Sequence, residues 1–444
     1  MKLSKFLNIS IILVMGITPI FPNVSAVQPN YNTDILEIPE SHLIKGVPYV
    51  GEETGYDCEW ASLAMLYQYL ELNYSYHDIF YLSGAAYSLG ATRTVKTPFK
   101  PPFKPFINPG SLTSLWKNDL DFISHLFGIS YNLSYVSKIT DVEQTWKDYW
   151  NNVKNSIKDN KPVWTLIDCG VIPWWREHFP SINESYNKGK SVGGHIIVLV
   201  GFNEANGTVC YNDMANSNYT KSESKLMGKY IWKGNETCEY IWMNISLLKK
   251  GVIDGVFYYW EDVKCLTLTI EKVTEPIPKN EAFELAHKRN LLKMQGWNNT
   301  VYDEKYKQLY KEFGIDALKT LKDNLKPSVI IPRLLFWRSL RPIIGFNPFD
   351  FMTNSTSWIK KDKQFAADSL LKQDNCIFCQ IDGRLLNNES IKWSEFRNLT
   401  LELQNSFEND RFIKNILISL SILKQMNTIV DDIIHIEEEI SNKR

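Results

Sequence analysis

The sequence predicts an α+β domain followed by an all-α C-terminal domain. Between Val47 and Val273, helical periodicity alternates with short apolar runs typical of strands, including 162–167 and the almost wholly apolar 195–202. Pro276-Ile277-Pro278 interrupts this pattern, and beyond it apolar residues recur at three- and four-residue spacing. A chain of 444 residues has room for two or three domains, so we expect each part to have its own core.

The same signals predict the individual elements. In the first domain they predict a helix beginning near Cys58, a helix from Asp141 to about Asn160, and the strands 162–167, 195–202 and 208–212. In the second domain they predict helices over Asn280–Gln295, Tyr302–Leu325 and Phe412–Asn442. The Pro-rich piece 97–109 is compatible with neither a helix nor a central strand, which indicates a surface loop.

Composition excludes several classes of protein. The formal net charge is -1, with 49 basic and 50 acidic residues, so nothing in the overall charge favours a nucleic-acid partner. The mean hydropathy of -0.25 argues against a polytopic membrane protein. The aromatic content of 13% predicts either thick cores or a groove lined with rings, and composition leaves both open.

The N-terminus predicts export. Residues 1–26 combine basic Lys2 and Lys5, an apolar stretch, and the small-residue cleavage pattern Val24-Ser25-Ala26, as a secretory signal does. No later stretch reaches the roughly 18 to 20 apolar residues of a spanning helix, so we expect no stable membrane span. We therefore expect a secreted or extracytoplasmic protein. Numerous Asn-x-Ser/Thr sequons beyond residue 26 indicate N-glycosylation, with an Asn-rich composition as the competing explanation.

The first candidate for chemistry is Cys58. It opens a predicted amphipathic helix whose buried stripe would be Leu63, Leu66, Tyr67 and Leu70, with Gly55 and Asp57 as the turn and cap residues. Backbone N–H groups and the dipole at a helix N-terminus stabilise a thiolate, as a nucleophile requires. Taken alone, this residue is better explained as a buried structural cysteine or a disulfide partner.

His195 and Asp213 form the second part of the constellation. His195 begins the apolar strand, and if the hairpin turns near residue 204 or 205, the opposite position is about 213 to 215. Asp213 would then orient the imidazole, with Asn212 as the alternative because successive strand residues face opposite sides. A histidine oriented by a carboxylate or amide, together with a helix-start cysteine, is the arrangement of thiol-dependent acyl transfer.

The chain resembles the bacteriocin-processing (double-glycine leader) peptidase family and its looser relatives, which are papain-like cysteine peptidases. The resemblance covers about 45–270 and rests on Val47-Pro48-Tyr49, the run Gly55 to Met65, the run Gly194 to Phe202, and Tyr211-Asn212-Asp213. It implies a Cys58, His195, Asp213 triad and a peptide or protein substrate, without a cofactor. A near relative is the N-terminal domain of the butirosin biosynthesis H protein, an acyltransferase of the same architecture.

The sequence departs from that family at the oxyanion position. The family has a glutamine six residues before the cysteine, where this chain has Glu52, and it usually has glycine where this chain has Glu59. An ionised carboxylate repels an oxyanion, so Glu52 either is protonated or disables the site. Three functions stay open: amide hydrolysis, acyl transfer of the butirosin H type, and a catalytically degenerate module that binds a peptide or glycan.

The seven cysteines are an odd number in a chain expected to be oxidised. If Cys58 keeps its thiol, the six others can pair, with Cys376 and Cys379 as a local disulfide and two bridges among Cys169, Cys210, Cys238 and Cys265. No second Cys or His pair lies near Cys376, so we expect no metal site. The predicted organisation is a signal peptide at 1–26, an extended leader at 27–45, a peptidase-like domain at 46–275 and a helical domain at 279–444. The sequence leaves the oligomeric state open.

Overall fold

The protein consists of two compact units. A computed structural model describes residues 40–51, 57–92, 107–108, 117–136, 138–215, 237–253, 264–295, 310–332, 334–335, 348–374, 376–408 and 412–442. The sheet unit comprises the described residues of Ser25–Tyr76 and Ser124–Ile277, and the helical unit comprises those of His77–Ile123 and Pro278–Arg444. The predicted signal peptide and most of the Pro-rich piece lie outside the described residues.

The elements are numbered in chain order. The strands are β1 (Ser41–Leu43), β2 (Gly90–Thr92), β3 (Ile107–Asn108), β4 (Ile129–Val136), β5 (Val163–Asp168), β6 (Gly194–Asn203), β7 (Thr208–Asn212), β8 (Ile241–Asn244), β9 (Lys264–Lys272) and β10 (Tyr310–Phe313). The α-helices are α1 (Cys58–Tyr69), α2 (Tyr76–Ser83), α3 (Lys117–Phe127), α4 (Val142–Lys158), α5 (Pro173–His178), α6 (Pro180–Asn187), α7 (Ile245–Ile253), α8 (Lys279–Met294), α9 (Gly314–Asn324), α10 (Pro348–Leu371), α11 (Ile377–Glu408) and α12 (Phe412–Asn442). The predicted α+β class with a helical C-terminal part is confirmed.

An antiparallel sheet in the order β4-β9-β5-β6-β7-β8 forms the core of the sheet unit. β6 lies in its interior, and residues 195–202 are all buried, as their unbroken apolar run predicts. The short strand β1 pairs with the last residues of β6, on the same side of β6 as β5. Gly201 permits this close approach, because a Cβ there would lie 2.9 Å from the His42 carbonyl oxygen.

Helix α1 packs against β6, and it is buried more completely than an amphipathic pattern predicts. Every side chain from Trp60 to Tyr67 is buried, whereas Leu70 is only half-buried. The ring of Tyr67 meets Phe127 edge-on, with centroids 5.0 Å apart. The predicted single apolar stripe is therefore wrong, because the helix is apolar on most of its circumference and is covered on more than one side.

The helical unit combines long helices with the small sheet β10-β2-β3. Its core includes Leu318, Trp393, Leu403 and Ile433, which are all buried. One predicted element differs here. A helix was expected over Tyr302–Leu325, but Tyr310–Phe313 is a strand that pairs with β2, and α9 begins only at Gly314. Strand pairing, which involves residues far apart in sequence, overrides the local helical periodicity at this point.

The predicted domain boundaries were continuous segments, whereas the compact units are not. Residues His77–Ile123, which lie inside the predicted peptidase-like segment, group with Pro278–Arg444. Long-range packing determines such a grouping, and the local composition of the chain gives no sign of it. The segment boundaries at residues 26, 45 and 275 stay predictions.

Candidate active site

Cys58 is the first residue of α1, and its side chain is half-buried. The helix start is held by the backbone carbonyl of Asp57, which accepts hydrogen bonds from the N–H groups of Trp60 and Ala61 at 3.0 Å each. Asp57 is the N-cap residue, as predicted, but its carboxylate accepts no hydrogen bond from the first helical turn. It instead accepts a hydrogen bond from the Tyr76 hydroxyl in the interior of the sheet unit.

His195 and Asp213 are in direct contact. The Nε2 atom of His195 lies 2.7 Å from Oδ1 of Asp213, and both residues are buried, with exposed fractions of 4% and 0%. The same Oδ1 accepts a hydrogen bond of 2.9 Å from the backbone N–H of Ala215. The carboxylate is thus fixed by its own chain as well as by the imidazole, and the pair is shielded from competing water.

Trp175 completes the surroundings of this pair, a role that its sequence context does not predict. Its indole N–H donates to Oδ2 of Asp213 at 3.0 Å, while its ring meets the His195 imidazole at a centroid distance of 4.8 Å. Trp175 lies on the short helix α5 and is 2% exposed. Nothing in the local sequence distinguishes it from its neighbour Trp174, so only the tertiary packing identifies it.

Asn212, the alternative orienting residue, is engaged elsewhere. Its side-chain oxygen accepts a hydrogen bond of 2.7 Å from the backbone N–H of Tyr240. The two candidates follow each other in the chain, so strand alternation directs them to opposite sides, as expected. Asp213 is the one that reaches His195.

Asp168 stabilises the loop that leads into His195. Its carboxylate accepts hydrogen bonds from the backbone N–H groups of Gly170, at 2.8 Å, and of Val192, at 3.2 Å. The neighbouring Cys169 N–H donates to the Gly193 carbonyl at 3.0 Å. These contacts fix the backbone from which β6 and the imidazole begin.

Two glutamates, Glu52 and Glu59, lie close to Cys58 in the sequence. Glu52, assigned to the oxyanion position from the resemblance, lies outside the described residues, and its role stays a prediction. Glu59 follows Cys58 directly, and desolvation raises the pKa of its carboxyl to about 8. At neutral pH this carboxyl is therefore mostly protonated, so it places little negative charge beside the cysteine.

Four of the predicted disulfide partners keep their thiols, which corrects the expected pairing. Cys376 and Cys379 do form a disulfide, whereas Cys169, Cys210, Cys238 and Cys265 do not. Cys210 on β7 and Cys265 on β9 are separated by two intervening strands. Three strand spacings of about 4.8 Å place them roughly 14 Å apart, which exceeds the reach of a disulfide. Cys169 follows β5, which is separated from β7 by β6.

Burial makes several of these thiols unreactive. Desolvation raises the pKa of Cys210 and of Cys265 to about 12, and it raises the pKa of Cys169 well above its ordinary value.

In the described residues, no group of three or more His, Cys, Asp or Glu side chains is arranged to hold a metal ion. In the same part of the chain, no helix is long and apolar enough to cross a bilayer.

The layout is that of a cysteine peptidase-like domain. It combines an antiparallel sheet, a helix that begins at Cys58 and a buried His195–Asp213 pair. Residues 44–238 match the family model described as Peptidase_C39 like family. This part of the chain therefore resembles the papain-like cysteine peptidases of the C39 family, which confirms the predicted resemblance. The narrower likeness to the butirosin H protein stays a prediction. No curated protein matches the chain.

Proposed function

We propose that the protein is a secreted cysteine peptidase that cleaves an amide bond of a peptide or protein through Cys58, His195 and Asp213. The observation that carries this proposal is the 2.7 Å contact between His195 Nε2 and Asp213 Oδ1. It occurs at the start of β6, the strand against which the helix of Cys58 packs. The match to a peptidase family over residues 44–238 supports the same reaction class.

The His195–Asp213 contact assigns different roles to the two ring nitrogens. Because Nε2 faces the carboxylate, Nδ1 is the nitrogen available to exchange a proton with the Cys58 thiol. The Asp213 carboxylate in contact with Nε2 also stabilises the imidazolium that forms when Nδ1 takes the proton of the Cys58 thiol. The pair therefore supports the thiolate–imidazolium form on which nucleophilic attack depends.

Cys58 suits the role of nucleophile better than the other thiols do. It is half-buried, whereas Cys169, Cys210, Cys238 and Cys265 are buried. It also begins a helix, where the dipole lowers the pKa of a thiol, while burial acts in the opposite direction on most of the others. A substrate arriving from solvent would meet Cys58 in preference to these four.

The reaction follows from these roles. The Cys58 thiolate attacks the amide carbonyl, and His195 gives its proton to the leaving amine, which leaves an acyl-enzyme thioester. Water then attacks the thioester with His195 as general base, and the acid product leaves as the thiol is restored. Asp213 keeps the imidazole oriented in both steps.

Labelling with an iodoacetamide probe at mildly acidic pH tests the proposed nucleophile. We expect Cys58 to be alkylated selectively, because only a thiol of depressed pKa is ionised there, and we expect a Cys58→Ala variant to stay unlabelled. Absence of labelling in the wild-type protein would instead favour the binding module. If Cys58 is labelled, adding an amine nucleophile and measuring how the product divides between acid and amide separates hydrolysis from acyl transfer.

Export belongs to the same proposal. Its support is the signal-like segment at 1–26 together with the sequons. Expression in a secretory host, with and without a glycosidase that removes N-linked glycans, tests it. A mature N-terminus near residue 27 and a loss of mass on deglycosylation are expected. An intact N-terminus and an unchanged mass would contradict export without affecting the proposed reaction.

A further inference from the structure

The disulfide between Cys376 and Cys379 lies at the start of the long helix α11. Cys376 precedes the first helical residue, and Cys379 lies in the first turn. A bridge across three residues restricts the unfolded chain less than a bridge that closes a long loop. Its contribution to stability is accordingly small, and its surroundings suggest a different purpose.

The two sulfurs differ in accessibility. Cys376 is half-buried, while Cys379 is fully buried, with an exposed fraction of 0%. Ile377, between them, is 80% exposed, so the chain at this point faces solvent. An incoming thiolate can therefore approach the sulfur of Cys376 but not that of Cys379, and attack on one defined sulfur is a property of exchanging disulfides.

The backbone stabilises negative charge on the accessible sulfur. The N–H of Cys379 lies 3.3 Å from Cys376 Sγ and donates to it. The N-terminal dipole of α11, a helix of 32 residues, acts in the same direction. After reduction, both effects lower the pKa of the Cys376 thiol, which favours a reactive thiolate at this position.

Asp382, one helical turn beyond Cys379 on α11, contacts a half-buried histidine. Asp382 follows Cys379 by three residues and is 1% exposed, and its Oδ2 lies 3.2 Å from Nδ1 of His287. The His287 ring also contacts Phe378, with centroids 4.4 Å apart. The first turns of α11 thus carry ionisable and aromatic contacts to His287 on both sides of Cys379 in the sequence.

We propose that Cys376 and Cys379 form a reversible dithiol–disulfide site that exchanges with external thiols and disulfides through Cys376. An incoming thiolate bonds to Cys376 Sγ, the Cys376–Cys379 bond breaks, and Cys379 leaves with the electron pair and takes up a proton. A second thiolate then attacks the mixed disulfide and releases the Cys376 thiolate. In total, two external thiols are oxidised to one disulfide while the protein disulfide is reduced to two thiols, and the reverse sequence restores it.

Two single variants in a Cys58→Ala background test the assigned asymmetry, since that background removes the other half-buried thiol. With oxidised glutathione, Cys379→Ser should gain one glutathione adduct on Cys376, at least about tenfold faster than Cys376→Ser gains one on Cys379. Intact mass and peptide mapping measure this. Equal rates in the two variants, or no adduct on Cys379→Ser, would overturn the proposal.

A measurement without substitution guards against variants that fail to fold. The wild-type protein is equilibrated in glutathione buffers of varied ratio and then alkylated. We expect Cys376 and Cys379 to become reduced and reoxidised reversibly while the helical circular dichroism is retained. Buried Cys210 and Cys265 should stay unalkylated throughout, as internal controls. A disulfide that resists reduction until urea unfolds the protein would show that the bridge is only structural.

The source of the exchanging thiol is resolved by running the same assay with a disulfide-linked cysteine peptide in place of oxidised glutathione. A faster adduct with the peptide identifies peptide cysteines as the natural partner, and a faster adduct with glutathione identifies the small molecule. Either result supports the site, whereas failure with both reagents contradicts it. The outcome is independent of whether Cys58 is a peptidase nucleophile.

Discussion

Trp175 donates its indole N–H to Asp213 at 3.0 Å, on the carboxylate oxygen that His195 does not use. The two oxygens of one buried carboxylate thereby contact two different aromatic side chains. The imidazole is consequently enclosed by its carboxylate and by the Trp175 ring, whose centroid lies 4.8 Å away. We infer that Trp175 is a positioning residue that acts through Asp213.

Replacing Trp175 by phenylalanine tests this role. Trp175→Phe keeps a ring near His195 but removes the donor to Asp213. A hydrogen bond to a charged group contributes about 1.5–3 kcal/mol, so kcat should fall by roughly 10- to 150-fold with little change in KM. Trp174→Phe, in the same helix, is the matched control. An equal loss of kcat in both variants would indicate a general packing defect.

Replacing Asp213 by asparagine removes the carboxylate that orients the His195 imidazole. We expect kcat/KM to fall by a factor of about 100 to 10,000 in Asp213→Asn, because orientation and proton transfer both depend on His195. Asn212→Asp is the control, since it keeps the oxygen that accepts from Tyr240. A greater loss in the control than in Asp213→Asn, with melting temperatures unchanged, would reverse the assignment of the two residues.

Glu52 stands where the resemblance places an oxyanion donor. Glu52→Gln supplies an amide donor in place of a carboxyl, and one such donor typically changes the rate by about 100- to 1000-fold. We expect turnover to rise if the site is active. Parallel measurement of Glu53→Gln, one residue further along, controls for a general change of charge. An unchanged or lower rate in Glu52→Gln would argue against its lying at the oxyanion.

The raised pKa of Glu59 predicts how kcat/KM depends on pH. Because desolvation raises its pKa to about 8, the carboxyl is neutral below that pH and becomes negative above it. A negative charge beside Cys58 disfavours the thiolate, so kcat/KM of the wild-type protein should decline as the pH rises through about 8. Glu59→Gln should abolish this decline and leave the acid side of the pH–rate profile unchanged. A decline that persists in the variant would have another source.

The helical unit contains a buried triad of one lysine and two glutamates. Substitutions in this triad should lower the free energy of unfolding more than substitutions in surface ion pairs. Lys363 lies 3.0 Å from Glu389 and 2.6 Å from Glu437, and all three side chains are at most 1% exposed. Burial opposes the charge on Lys363, yet the two glutamates raise its pKa above the ordinary value. Burial likewise raises the pKa of the Glu389 carboxyl above its ordinary value, against the opposing effect of Lys363.

Removing the lysine should therefore be costly. Lys363→Met leaves Glu437 buried without its partner, and breaking a buried pair costs about 3–5 kcal/mol in the free energy of unfolding. Lys322→Met, which removes an exposed ion pair with Asp431, should cost less than about 1 kcal/mol. Urea unfolding followed by circular dichroism measures both. Similar costs for the two variants would show that the triad adds nothing beyond surface electrostatics.

The sequence by itself determined the candidates and the local elements. The predicted helix start indicated Cys58 as the candidate nucleophile, and the apolar run of β6 predicted a buried strand. The predicted position of the hairpin turn indicated a partner for His195 near residue 213. These predictions succeed because they depend on local periodicity and on residues close together along the chain. The signal-like N-terminus and Glu52 stay sequence-level predictions.

Only the tertiary structure decided which of these residues meet and which do not. It directs Asn212 to Tyr240 and Asp213 to His195, it adds Trp175 to the pair, and it keeps the thiols of Cys210 and Cys265 apart. The physical reason is that such contacts join residues distant in sequence, and their geometry depends on strand order and burial. Local patterns carry neither, which is also why His77–Ile123 groups with the C-terminal helices.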